Sequence, residues 1–309
     1  MKIYYSIEDF NPLPYAVVTS GTFDGVHVGH QSILTRLKEV ASANGGETVL
    51  ITYWPHPRTI LRPEEPTIKL LTTFEEKAQL LKAQGIHHLL RIPFTKDFAN
   101  ISSLDFIQEI LVKRIGTRKL VIGYDHRFGK NREGSFEQLK QNAPSYGFDV
   151  EEIPRQEIDH VTVSSSKIRT ALQEADLATA THLLARPYAL TGRVVRGDKL
   201  GRMLGFPTAN LDTESANKLV PREGIYAARV TFHERSFGGM LYIGTRPTVD
   251  GKRQVIEVNI FDFHQDIYGE LLTVEFLHLI RNDIKFTDLE ALKAQLFQDR
   301  SAALRILNP

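Results

Sequence analysis

The sequence predicts two domains of different class: an N-terminal α/β domain built on a doubly wound parallel sheet, and a C-terminal small antiparallel β-barrel with a terminal helix. Three observations carry this. In residues 1–184 short apolar runs alternate with amphipathic helical stretches, the pattern of a parallel sheet covered on both faces. Beyond Ala185-Arg186-Pro187-Tyr188, in residues 185–309, strand patterns dominate, and several short strands in so small a segment suit a barrel. At 309 residues the chain can hold two ordinary domains.

Strands of the first domain are expected at 16–20, 48–53, 88–92, 119–124 and near 148–153. Between them Ile33, Leu34, Leu37 and Val40 share one helix face. A second helix opens on the capping box Thr73-x-x-Glu76, and a third runs from Ser102-x-x-Asp105 through Phe106, Ile107, Ile110 and Leu111. In the second domain strands are expected at 189–196, 224–232, 237–243 and 254–261. Leu272, Val274 and Phe276 alternate with Thr273 and Glu275, a half-buried strand. A last helix is read to open on a capping box Thr287-x-x-Glu290, with Leu289, Leu292, Leu296 and Phe297 on one face.

Composition narrows the function. Lys+Arg number 38 and Asp+Glu 37, so the chain has no polybasic character and is not expected to bind nucleic acid. It contains no cysteine, which removes disulfides and thiol chemistry. Met1 to Ser6 lack the apolar core of a secretion signal, and no apolar run approaches the ~18 residues of a membrane span. The expectation is a cytoplasmic protein acting on small molecules.

Gly21-Thr22-Phe23-Asp24-Gly25-Val26-His27-Val28-Gly29-His30 is the most informative stretch. It joins the first strand to the first helix. Glycines there let backbone approach a ligand, and a helix N-terminus attracts phosphate. His27 and His30 can donate hydrogen bonds to phosphate oxygens as charge builds in a transition state. Two histidines at this spacing could also be a metal pair. No acidic ligand lies at the spacing of a zinc helix and no cysteine is present, so the reading is a nucleotide-phosphate site. In doubly wound sheets such sites lie at strand carboxyl ends, where the strand order switches.

Two further segments fit. Ser164-Ser165-Ser166-Lys167-Ile168-Arg169 offers caps, anion contacts and a bidentate guanidinium, although a serine-capped helix would look the same. Gly123-Tyr124-Asp125-His126-Arg127-Phe128-Gly129-Lys130-Asn131 follows a strong strand and packs an aspartate and cations between glycines. Together, residues 21–30 and Ser164–Arg169 resemble the paired signatures of the nucleotidyltransferase superfamily, with its Rossmann-like fold. More narrowly, these segments and Thr52-Tyr53-Trp54-Pro55-His56-Pro57 resemble the adenylyltransferase domain of bacterial bifunctional FAD synthetase. Residues 185–309, through Gly192 to Asn210, resemble the riboflavin kinase domain of the same family. The family often has Phe at His126 and Thr at Ser166, and Gly is common at Ala175 and Ala185.

The resemblance implies riboflavin phosphorylation to FMN in residues 185–309 and FMN adenylylation to FAD in residues 1–184, with ATP as co-substrate and Mg²⁺ as cofactor. It implies catalytic His27, His30, Arg169 and Glu257. It implies nucleotide or phosphate binding by Gly21, Phe23, Asp24, Gly25, Gly29, Asp125, Ser164, Ser165, Gly197, Lys199, Gly201 and Arg202. Thr208 and Asn210 of Pro207-Thr208-Ala209-Asn210 would hold the metal. The residues agree: Gly197, Gly201 and Gly205 punctuate a basic loop able to cover a polyphosphate without a P-loop sequence, and Thr208 and Asn210 offer hard oxygens on one side of an extended segment. Glu257, inside the apolar run Val255–Ile260, is the acid that could orient or deprotonate a hydroxyl. Two alternatives remain at this level. One is a nucleotidyltransferase of another specificity, such as a cytidylyltransferase; the other is a flavin-binding protein that has lost catalysis.

Overall fold

A computed structural model describes residues 1–124, 127–130, 134, 136–153, 163–197, 200–248 and 251–308. Asp125 and His126, singled out above, lie outside the described residues, as do Asp198 and Lys199. The chain forms two compact units, Met1–Ser165 and Ser166–Pro309.

The first unit is a six-stranded sheet in the order β1-β4-β3-β2-β5-β6, every pair parallel. The strands are β1 (Lys2–Tyr4), β2 (Ala16–Ser20), β3 (Glu47–Trp54), β4 (His88–Pro93), β5 (Thr117–Gly123) and β6 (Asp149–Ile153). Alternation along β2 shows why both faces are covered. Ala16 and Val18 join one core cluster, with Phe106, Ile110 and Leu111 of a π-helical stretch, Phe106–Ile115. Val17 joins the other, with Leu34 and Leu37 of helix α1 (Val28–Ala43) and Phe74 and Leu81 of helix α2 (Phe74–Ala83). The Thr73–Glu76 capping box at the head of α2 is present with both bonds. The chain runs outward from β2 through β3 to β4, then returns to lay β5 on the other side of β2. The switch in strand order therefore falls between β2 and β5, beside the turn that follows β2. Strand β1 was not read from the sequence, because three residues at a sheet edge carry no period.

The second unit is a closed antiparallel barrel, order β10-β11-β8-β7-β12-β9. Its strands are β7 (Tyr188–Val195), β8 (Ala209–Asp212), β9 (Gly224–Phe232), β10 (Arg235–Thr248), β11 (Gly251–Ile260) and β12 (Leu271–Arg281). Leu272, Val274 and Phe276 are fully buried, as their alternation requires, and the Tyr226 ring meets Phe276 edge-on at 5.3 Å. Helices α3 (Ser165–Gln173) and α4 (Leu177–Leu184) precede the barrel. Arg222 N–H donates to the Leu172 carbonyl at 3.1 Å, and α4 packs on β7 and β12. The terminal helix α5 (Leu289–Leu307) lies on β9 and β10, pinned where the buried Asp299 carboxylate takes a bidentate pair of bonds from Arg281 at 2.8 to 3.1 Å. Its N-cap is Asp288, which accepts from Ala291 N–H at 2.8 Å while Thr287 bonds to Asp288. The Thr287–Glu290 capping box is thus replaced by a carboxylate cap one residue later, which also favours the positive helix end.

Ala175 and Ala185 close α3 and α4 at φ of 60° and 55°. The left-handed region costs an alanine about 1–2 kcal/mol, against roughly 0.4–1 kcal/mol for the extra freedom of glycine in the unfolded chain. Ala175→Gly and Ala185→Gly are each expected to stabilise the protein by up to about 1 kcal/mol, read as a shift of the urea midpoint at unchanged slope.

Candidate active sites

Strand β2 ends at Ser20, and Gly21 N–H still reaches the Ile51 carbonyl of β3 at 3.0 Å. The chain then turns sharply into α1, with Phe23, Gly25 and Val26 at φ of 47°, 80° and 41°. A β-branched residue at positive φ is held only where its surroundings over-determine it. Asp24 supplies that restraint. Its buried carboxylate accepts from Leu71 and Thr72 backbone N–H groups, both at 3.1 Å, and from the Thr72 hydroxyl at 3.3 Å. That hydroxyl in turn accepts from Gly25 N–H at 3.2 Å.

His27 caps α1: its Nδ1 accepts from His30 N–H at 3.3 Å. Accepting at Nδ1 places the hydrogen of the neutral ring on Nε2. The two imidazoles stack at 3.6 Å, 12° from parallel, and the buried Phe23 ring lies 4.7 Å from His30. Burial, then the nearness of His27 and Lys77, holds the His30 imidazole well below its ordinary pKa, so it is neutral at pH 7. His30 Nδ1 is covered and has no hydrogen-bond partner among the described residues. A covered N–H without an acceptor is rarer than a covered acceptor, so His30 also carries its hydrogen on Nε2. Gly29 is buried in the first turn of α1; His30 and Gln31 N–H bond to His27, so Val28 and Gly29 carry the N–H groups that such a helix end can offer an anion.

Ser165 of the second signature segment comes to the same turn. The Ser165 hydroxyl donates to the Asp24 carbonyl at 3.1 Å across 141 residues of sequence. Ser164 directly precedes Ser165, and Arg169 follows four residues later along α3. The loop from Trp54 and the loop from Tyr124 leave β3 and β5, the two neighbours of β2, on either side of the turn. Sequence reading missed Lys77. It sits on α2 beneath the turn, donating to the Thr22 carbonyl at 2.9 Å and the Thr52 hydroxyl at 3.0 Å. Its only signal was a lysine within an otherwise apolar helix face.

The barrel holds a cavity of about 240 Å³. Gly201, Thr208, Tyr242, Arg246, Glu257 and Arg281 are among the residues that line it. Antiparallel register sets Glu257 of β11 opposite both Asn210 of β8 and Tyr242 of β10. The Glu257 carboxylate accepts from the Thr208 hydroxyl at 3.2 Å and from Arg246 at 2.5 Å. Arg246 was also missed, because β10 was expected to stop at 243. Asn259 donates to the Pro207 carbonyl at 2.7 Å and fixes the segment before Thr208. Two glycines make room: a Cβ on Gly197 would lie 2.2 Å from the Asn210 amide, and one on Gly201 would lie 2.4 Å from the Phe206 carbonyl oxygen. Arg202 is exposed beside Gly201. Tyr242 donates to Asp283 at 3.1 Å, and burial first, then that aspartate, pushes its phenol up to about 12.

The FAD synthetase family model matches residues 11–167, and the riboflavin kinase model matches residues 184–307. A bifunctional riboflavin kinase/FMN adenylyltransferase of Escherichia coli (strain K12) is 37% identical over 306 residues, 98% of this chain and 97% of its own. The chain belongs to the bifunctional riboflavin kinase/FMN adenylyltransferase family. The Pseudomonas fluorescens member is 38% identical over 295 residues, covering 95% and 93% of the two chains. A crystal structure described as a macrolide-efflux protein from Streptococcus pneumoniae matches at a TM-score of 0.86, with 30% identity and 98% of both chains covered. Among the described residues no helix is long and apolar enough to cross a membrane. In this family member the histidine turn lies in the stretch matched by the FAD synthetase model, and the Thr208–Asn210–Glu257 group in the stretch matched by the kinase model.

The Asp24 carboxylate satisfies two backbone N–H groups at the base of the turn. Asp24→Ala would leave both without their acceptor, at about 1–3 kcal/mol each. The variant is expected to lose several kcal/mol from the unfolding transition of the N-terminal unit, measured by urea titration with the barrel transition as internal reference.

Proposed function

We propose that the protein makes FAD from riboflavin in two ATP-dependent steps, with the kinase in residues 185–309 and the adenylyltransferase in residues 1–184. The stacked His27–His30 pair at the head of α1, with His30 held neutral, is the observation that most supports the second step. A cytoplasmic location is part of this reading: the sequence holds no cysteine, as suits a reducing compartment.

In the kinase step Glu257 accepts a hydrogen bond from the ribityl primary hydroxyl and takes its proton as the oxygen attacks the γ-phosphorus of ATP. The new O–P bond forms in line as the bond to the β-phosphate oxygen breaks, giving FMN and ADP. Arg246 holds the carboxylate in place. The loop through Gly197, Lys199, Gly201 and Arg202 covers the phosphates. Thr208 Oγ1 is 3.2 Å from a Glu257 oxygen, and the Asn210 amide is seated where only a glycine at 197 leaves space. This hard-oxygen set fits Mg²⁺, with Thr208 and Asn210 as the holding residues. When bound, that ion neutralises phosphate charge.

In the adenylyl step a phosphate oxygen of FMN attacks the α-phosphorus of a second ATP, and pyrophosphate leaves as the bond to the bridging oxygen breaks. Nε2–H of His27 and of His30, with the first N–H groups of α1, donates to oxygens that gain charge. Gly21, Phe23, Gly25 and Gly29 shape the backbone that approaches the nucleotide. Asp24 acts by holding that backbone, since its oxygens bond to amides. Ser164, Ser165 and Arg169 take the β- and γ-phosphates, and Asp125 is assigned to the nucleotide from the resemblance. No covalent intermediate is required; the rate comes from positioning and fixed donors.

The test is incubation with riboflavin, ATP and Mg²⁺, with flavins separated by chromatography, and with ATP against CTP. FMN and FAD are expected from ATP alone; no flavin product would leave a binding protein. His30→Ala is expected to slow FMN to FAD by about 10²-fold or more while riboflavin to FMN continues. Glu257→Gln is expected to do the reverse, and Asn210→Ala to raise the Mg²⁺ and ATP needed for the kinase step alone.

A further inference from the structure

Lys77 takes no part in either step as described, yet its placement is costly. The side chain is 3% exposed, and its ammonium bonds to a carbonyl and a hydroxyl, with the Trp54 ring 5.7 Å away. Among the described residues it forms no ion pair. A buried ammonium with only neutral oxygens as partners is disfavoured unless its charge serves an anion near by. Burial lowers its pKa to about 8, against the pull of Asp24. The charged or titratable groups coupled to it are Asp24 from the turn and His30 from α1; Thr52 and Trp54 are what β3 presents.

Geometry gives it two effects. Thr22 O, at the start of the histidine turn, accepts from both Lys77 and the Thr52 hydroxyl, at 2.9 and 3.3 Å. The turn is thereby tied to β3 and α2 at its first residues, as Asp24 ties it to Leu71 and Thr72 in the middle. A positive charge behind His30 also disfavours the imidazolium. We propose that Lys77 is a positioning residue of the adenylyl-transfer site: it pins the Thr22 carbonyl beneath the turn and sets a fixed positive charge behind His30. This rests on the adenylyltransferase reading of that site.

The experiment measures kcat and KM for FMN adenylylation in wild type, Lys77→Met and Lys77→Arg, with riboflavin phosphorylation measured on the same samples. Lys77→Met is expected to lose about 10- to 100-fold in kcat with little change in KM for FMN, as a displaced donor set does. Kinase activity in the barrel should stay within about twofold. The His30 imidazole, followed by NMR, should titrate at higher pH in Lys77→Met. Lys77→Arg should recover part of kcat. Wild-type kcat should fall as pH rises through about 8, where the ammonium is lost, and Lys77→Arg should not show that fall. An unchanged kcat in a folded Lys77→Met, or an unmoved His30 titration, would overturn the proposal. If Lys77→Met does not fold, the wild-type profile decides: a flat kcat from pH 7 to above 9 overturns it, and a fall near 8 supports it. A wild type that makes FMN but no FAD would instead overturn the adenylyltransferase reading itself, and the Lys77 proposal with it.

Discussion

The Asp24 carboxylate is the restraint on which the N-terminal site depends. A parallel sheet delivers β2 to its carboxyl edge pointing away from the next helix, and the chain must reverse within seven residues to begin α1. It does so through three positive φ values, one of them on a valine. Gly25 takes its value freely, but Phe23 and Val26 do not. Asp24 reaches the Leu71 and Thr72 amides just ahead of α2, so one carboxylate fixes the turn and the head of a second helix together. This also explains how an acid can sit inside the proposed phosphate site. Its charge is directed to backbone donors, the Leu71 and Thr72 amides.

The barrel reaches its site by register instead of strain. Glu257 stands opposite Asn210 on one side and Tyr242 on the other because β11 pairs with β8 and β10 at those positions. A slip of one residue would turn Glu257 to the other face and separate it from Thr208. Fully buried Val258 and Leu241 make such a slip costly, since their side chains would leave the core. The geometry of the candidate site here follows from the packing that closes the barrel.

The architecture was legible because its periods are long and regular. Apolar runs such as Val49–Ile51 and the alternation Leu272–Phe276 can satisfy few other arrangements. Short elements were not: β1 and β8 have three and four residues, and β8 follows a proline. The site was legible where chemistry demands rare residue types at fixed spacing, as in His27, Gly29 and His30. It was illegible where a residue acts across the fold. Lys77 and Arg246 carry no local mark, and they matter only because Thr22 and Glu257 are brought to them. Asp24 shows the opposite case: the motif marks the residue, but only the structure reveals that it bonds to backbone.

On the proposed reading both sites bind the same triphosphate, and the two groups of residues meet its charge in opposite ways. The histidine turn offers neutral hydrogen-bond donors and a helix end, with its one acid occupied by amides. Such donors need no reorganisation as charge moves onto the pyrophosphate, and they cannot neutralise it by giving up a proton they do not have to spare. The barrel gathers oxygens, from Thr208, Asn210 and Glu257, which repel phosphate unless a cation lies between. The difference follows from what each fold can present. A parallel sheet with α/β crossovers supplies helix N-termini at its carboxyl edge, whereas a closed antiparallel barrel has none at its strand pairs and must build from side chains in register. The two chemistries in one chain therefore each use the electrostatic resource that its own architecture provides.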